Sequence, residues 1–129
     1  MAGNKAQGIG QDNLARDHRH GPIDLDHLAR QAMGDPGLTD EVLRLYASMS
    51  EVYLGRIEAS TTIAALLEHL HTLKSAASGI GAWGVRDLAR LAEDELRAGQ
   101  PVNPERIEDI AMAVAECTAY IATLLDQAA

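Results

Sequence analysis

Thr61-Thr62-Ile63-Ala64-Ala65-Leu66-Leu67-Glu68-His69-Leu70-His71-Thr72-Leu73-Lys74-Ser75-Ala76-Ala77-Ser78-Gly79-Ile80 is the stretch whose reading decides the fold class. Ile63, Leu66, Leu67, Leu70, Leu73, Ala77 and Ile80 recur every three to four residues, the repeat of one helix face. Ser60 or Thr61 can cap the start. Gly79, Gly81 and Gly84 interrupt the pattern, so the chain is expected to bend there.

Working outward, the same period recurs on both sides. Asp24 can cap a short helix over residues 25–33, with Gly34 just past its end. Asp35-Pro36 or Thr39 opens a longer helix to about residue 58, with Leu38, Val42, Leu45, Met49, Val52, Tyr53 and Ile57 as its expected stripe. Val85, Leu88, Leu91, Ala92 and Leu96 mark a helix over about 84–98 that closes at Gly99. Asn103-Pro104-Glu105 restarts the chain with a cap, a proline at the first helical position and an acid at the positive helix end. Ile107, Ile110, Ala111, Val114, Cys117, Ile121, Leu124 and Leu125 stripe the last helix. No segment alternates with period two, so the fold class is all-α. We expect an antiparallel up-down four-helix bundle with a short additional N-terminal helix.

Composition bounds the function. At 129 residues the chain fits one domain. It has no Phe and one Trp, so its core must be aliphatic. Residues 1–20 are polar, Gly-rich and aperiodic and read as a flexible tail, leaving 21–129 for the bundle. The net charge of −8 would repel nucleic acid and an anionic membrane surface. With one cysteine, Cys117, no internal disulfide can form, and its place on the last stripe reads as a small buried hydrophobe. No signal peptide or membrane-spanning run is legible, so a cytoplasmic protein is expected.

Chemistry is concentrated on the central helix. At about 100° per residue, His71 falls roughly 120° from the centre of the apolar stripe, on the surface. His69 falls roughly 80° away on the opposite flank, expected to be partly buried. Residues two apart on a helix do not face each other, so the pair cannot chelate one metal ion. An exposed neutral imidazole is a competent nucleophile towards phosphorus. Lys74, one turn on, can balance the spread charge of a phosphoryl group. It is one of only two lysines among eleven basic residues. Ser75, Ala76, Ser78 and Gly79 keep the surface low enough for another protein to approach. Spacing alone still leaves open a histidine that is merely exposed.

His71-Thr72-Leu73-Lys74-Ser75 followed by Ile80-Gly81-Ala82 resembles the histidine phosphotransfer (HPt) domains of bacterial multi-step phosphorelays. The resemblance runs over about residues 22–127, from Ile23-Asp24-Leu25 through Gly34-Asp35, Tyr46 where Phe is common, and Leu88 to Gly99 with Glu95 at an often acidic position. It departs at Ser75, where Gly is commonest, and at Leu70, where Ala is frequent. It implies a free-standing carrier without an ATP site and without autonomous catalysis. His71 would accept a phosphoryl group from the aspartyl phosphate of a receiver domain and relay it to another response regulator. Lys74 would stabilise the phosphoryl group. Leu67, Glu68, Ser75 and Ser78, with exposed residues of the preceding helix, would form the docking surface. The partners implied are response-regulator receiver domains and a hybrid histidine kinase. The carrier would hold no cofactor of its own, and Mg²⁺ would sit in the receiver. A monomer is the simpler expectation for a protein that docks transiently.

Two other readings stand beside this one. The bundle could dock on a receiver or kinase and inhibit it without His71 being phosphorylated. Alternatively, His18, His20, His27 or His69 could bind a metal, although no spacing here matches a closed zinc site.

Overall fold

The computed structural model describes residues 21–128, so the stretch 1–20 read as a tail lies outside them. The described residues form five helices: α1 (Leu25–Gln31), α2 (Pro36–Ala59), α3 (Ile63–Ile80), α4 (Trp83–Arg97) and α5 (Pro104–Ala128). Helices α2 to α5 each pack on the next, and α5 returns against α2. This is an antiparallel up-down four-helix bundle, with the short α1 laid against α3.

Side-chain caps explain most of the helix starts. The Asp24 carboxylate accepts from the His27 N–H at 3.1 Å, and Asp35 accepts from Gly37 and Leu38 ahead of α2. The cap of α3 is Thr62, which accepts from the Ala65 N–H at 3.1 Å, one residue later than expected. Asn103 accepts from Glu105 and Arg106 at the start of α5.

The bend expected from three glycines happens at one of them. Gly79 and Gly84 are helical, and only Gly81, at φ 81°, takes the left-handed conformation that ends α3. A Cβ at Gly81 would come within 3.0 Å of the Asp24 Cβ and 3.1 Å of its carbonyl oxygen. The contact is close because the Asp24 N–H donates to the Gly81 carbonyl at 2.9 Å. The Asp24 carboxylate also accepts from the Trp83 indole at 3.0 Å, while the His27 ring packs edge-on against Trp83. One aspartate thus caps α1 and ties it to the α3–α4 turn.

The core is aliphatic, as composition requires. Leu66, Leu70, Leu73, Ala77 and Ile80 of α3 face Leu43, Tyr46 and Ile57 of α2, Val85, Ala89 and Ala92 of α4, and Ile110, Val114, Cys117 and Ile121 of α5. Ile23 seals one end with Leu28. The stripe of α2 differs from the expected one. Leu43, Tyr46 and Ser50 are buried, whereas Leu45 is 60% and Val52 48% exposed. Helix α2 is apolar on two adjacent faces, so period alone does not choose between them, and the fit of Tyr46 into the core does. Leu91 of α4 is likewise exposed, and Ala89 and Glu93 are buried in the same helix.

Burial raises the Tyr46 phenol and pushes the Cys117 thiol up to about 12, so both stay neutral in the core. The Tyr46 hydroxyl is buried with no hydrogen-bond partner. Removing it in Tyr46→Phe is expected to stabilise the bundle by about 1 kcal/mol, read as a higher urea midpoint. A lower midpoint would show that the hydroxyl is satisfied. Gly81→Ala is expected to cost about 2 kcal/mol, since it strains φ and pushes on Asp24, and thermal unfolding followed by circular dichroism measures the loss.

Candidate functional site

Helix α3 places His71 on its outer face, with the side chain 61% exposed. The neighbouring surface is low, for a reason beyond residue size. The Thr72 hydroxyl donates to the Glu68 carbonyl at 3.1 Å, and the Ser78 hydroxyl donates to the Lys74 carbonyl at 3.0 Å. Both hydroxyls therefore fold back on the helix. Glu68 and Ser75 are exposed, while Leu67 and Ser78 are half-buried. Ser78 is further committed: its carbonyl accepts from His27 Nε2 at 3.1 Å, which puts the proton of that ring on Nε2.

The other histidine of the pair, His69, lies against Tyr53 of α2 with ring centroids 6.0 Å apart. The two rings thus leave α3 on different sides. Among the described residues no group of His, Cys, Asp or Glu is arranged to hold a metal ion. His18 and His20 lie outside those residues.

Lys74 and His71 meet through a residue that the sequence reading passed over. Glu93 of α4 has its side chain only 3% exposed. Its Oε1 lies 2.8 Å from Lys74 Nζ, and its Oε2 lies 3.4 Å from His71 Nδ1. Arg97, one turn further along α4, donates to the same Oε2 at 3.4 Å. Burial by itself would raise the carboxyl. The Lys74 ammonium, the Arg97 guanidinium and His71 outweigh burial and hold it below the usual glutamate range. One available signal was a carboxylate directly after Ala92, inside an apolar stripe. Buried charges need partners, so such a residue implies a cation on a facing helix.

Glu95, the acidic position noted in the sequence, does different work. Arg106 of α5 grips it with two hydrogen bonds, at 3.2 and 2.8 Å. These bonds hold the Glu95 carboxyl low. Glu95 thereby joins α4 to α5.

The site is thus an imidazole with Nδ1 turned to a buried carboxylate and an outward face open for chemistry. Among the described residues no side chain hydrogen-bonds to His71 Nε2. A cation stands one turn away. Such a site can take up an electrophile at Nε2 and balance its negative charge.

The comparisons with known proteins agree in kind. The family model described as Hpt domain matches residues 41–129. Among solved structures, the crystal structure of histidine phosphotransferase ShpA from Caulobacter crescentus is similar, at 25% sequence identity and a TM-score of 0.64. The match covers 83% of this chain and 93% of that one. No curated protein sequence matches this chain.

A depressed carboxyl contributes stability above its unfolded pKa and loses it as pH falls through the folded value. The stability that Glu93→Gln loses relative to wild type should therefore be full at pH 7. It should shrink as pH falls below the ordinary glutamate value of 4.5, as Glu93 itself becomes protonated. Urea unfolding of both proteins across that range measures it, and a constant difference would mean that the carboxylate charge is not what stabilises the site.

Proposed function

This chain belongs to the Hpt domain family and is a phosphorelay carrier, and on that premise we propose that His71 is the residue that carries the phosphoryl group. The observation that supports this reading most directly is the exposed His71 ring, with Nδ1 towards Glu93 and the Lys74 ammonium one helical turn away. Hpt domains dock on receiver domains and histidine kinases. In the proposed reaction the Nε2 lone pair attacks the phosphorus of a receiver's aspartyl phosphate. The P–O bond to the aspartate breaks, and the electron pair leaves with the carboxylate. The reverse sequence on a second receiver discharges the carrier. Such a transition state is stabilised by charge and position rather than by covalent help, and Lys74 supplies part of that charge.

Two features support docking over α3. The exposed Ser75 and Gly79, with short or no side chains on the outer side of α3, give a receiver room for in-line approach. Leu45 and Val52 of the preceding helix α2 are exposed and offer further apolar area to a docking partner. Glu68 and Leu67 complete it on the His71 helix, and Ser78 borders it. We propose that Mg²⁺ arrives with the receiver, because the carrier needs only to offer a nucleophile and a cation. Among the described residues no helix is long and apolar enough to cross a membrane.

Transfer from a labelled phospho-receiver tests the assignment. Wild type is expected to acquire acid-labile, base-stable label, and His71→Gln none. Label on both variants, or on neither, would reject His71. Lys74→Ala is expected to be labelled about ten times more slowly, equivalent to about 1.4 kcal/mol in the barrier.

A further inference from the structure

We propose that the outer side of α4 is a self-complementary contact surface, on which a second copy of this chain docks antiparallel about a two-fold axis. This face takes no part in the proposed reaction at His71, so its test stands apart from that reading.

The face has an apolar centre and low ends. Leu91 is 42% exposed, and with Asp87, Arg90 and Asp94 it lines a shallow open groove. Gly84 and Ala98, seven residues to either side, are exposed on the same side of the helix and too small to hold another helix away.

The charges beside Leu91 decide what fits there. Asp87, Arg90, Asp94 and Arg97 follow one another at spacings of three, four and three residues. At about 100° per residue all four fall on one side of Leu91, in a strip roughly 40° to 120° away from it. Read backwards, the strip runs base, acid, base, acid at the same spacings. Two antiparallel copies that cross near Ala92 therefore set Asp87 against Arg97 of the second copy, and Arg90 against its Asp94. The two-fold axis repeats both pairs. A parallel arrangement would set acid on acid and base on base, so the pattern selects one orientation and one register. The strip is also neutral in a chain of net charge −8, so two copies repel each other less here than over an average part of the surface.

The side chains are available for such pairs. Among the described residues the Asp94 carboxylate makes no ion pair, and Arg90 reaches Asp87 only at 3.7 Å. Arg86 holds Asp87 Oδ1 at 2.8 Å, which fixes the carboxylate and leaves Oδ2 for a base from outside. Arg97 is exposed beyond its 3.4 Å contact with Glu93. Exposed ion pairs are individually weak, and one apolar anchor per copy makes a small interface. The dimer is therefore expected to form at about 0.1 mM protein and above, in exchange with the monomer that transient docking requires.

Sedimentation equilibrium of the full chain tests this at about 0.15 M salt, where long-range repulsion between the copies is largely screened. The average mass of wild type should rise towards twice the chain mass with concentration, and the rise should weaken several-fold at about 1 M salt. Arg90→Asp and Asp94→Arg each set like charges face to face, so each alone should weaken association at least tenfold. An equimolar mixture of the two should restore it, because the altered strips complement each other at all four positions. Circular dichroism checks that both variants are helical. If one is not, the double variant carries the test, since exchanging both charges in one chain should again give wild-type association. A wild type that stays monomeric up to about 1 mM would overturn the proposal and assign the strip to a different protein. Association that neither single variant weakens, or that neither the mixture nor the double variant restores, would overturn it as well.

Discussion

The 2.8 Å ion pair between Lys74 and Glu93 is the interaction on which the rest of the functional surface depends. A carboxylate inside an aliphatic bundle is unfavourable by itself, because burial penalises the charged form. It is tolerated here because α3 and α4 bring cations to it from two directions, Lys74 from one helix and Arg97 from its own. That requirement fixes the register between the two helices at the height of His71. It also determines which way His71 turns, since the remaining carboxylate oxygen is the only strong acceptor described near its Nδ1. A site that looks like one exposed histidine is therefore built from both helices.

The register has a second anchor at the far end of α3. Gly81 lets Asp24 approach, and Asp24 in turn accepts from the Trp83 indole at the first position of α4. The turn between α3 and α4 is held between α1 and its own tryptophan, and His27 adds a hydrogen bond to the Ser78 carbonyl. Helix α1 is too short to stabilise itself, and its contribution is to clamp this turn. With both ends of the α3–α4 pair set, the Glu93 carboxylate is delivered to His71 by rigid elements rather than by a loop, which is how a reacting group is held to tight tolerances.

Much of this was legible from the chain alone, for identifiable reasons. The five helices and the exposure of His71 follow from local period and phase, which α3 and α5 state clearly because only one of their faces is apolar. The stripe of α2 was misread because Val42, Leu45 and Met49 repeat with the same spacing as Leu43, Tyr46 and Ser50. Two registers one residue apart fit the same rule, and only packing against the other helices separates them. The cap of α3 was misplaced by one residue in a run of Ser and Thr in which each is a competent cap. Glu93 was missed for a different reason. Its partners are 19 and 22 residues away on another helix, at Lys74 and His71, and nothing in a helical repeat records a pairing across helices. The resemblance pointed instead to Glu95, which looks equivalent in sequence and turns to Arg106.

A carrier must take up a phosphoryl group from one aspartate and surrender it to another, so its loaded form cannot be much more stable than the acyl phosphates on either side. The arrangement around His71 meets this condition by dividing the stabilisation. On the proposed reading of His71, Lys74 would answer the negative charge of the phosphoryl group, while Glu93 faces the ring on which the same transfer would leave a positive charge. Each is also the other's counter-ion at rest, so any strengthening of one contact draws charge from the other. A cation without the carboxylate would favour holding the group, and the carboxylate without the cation would favour releasing it. Placing both on one 2.8 Å ion pair keeps the two tendencies coupled. Reversibility would then be a property of the pair rather than of the histidine.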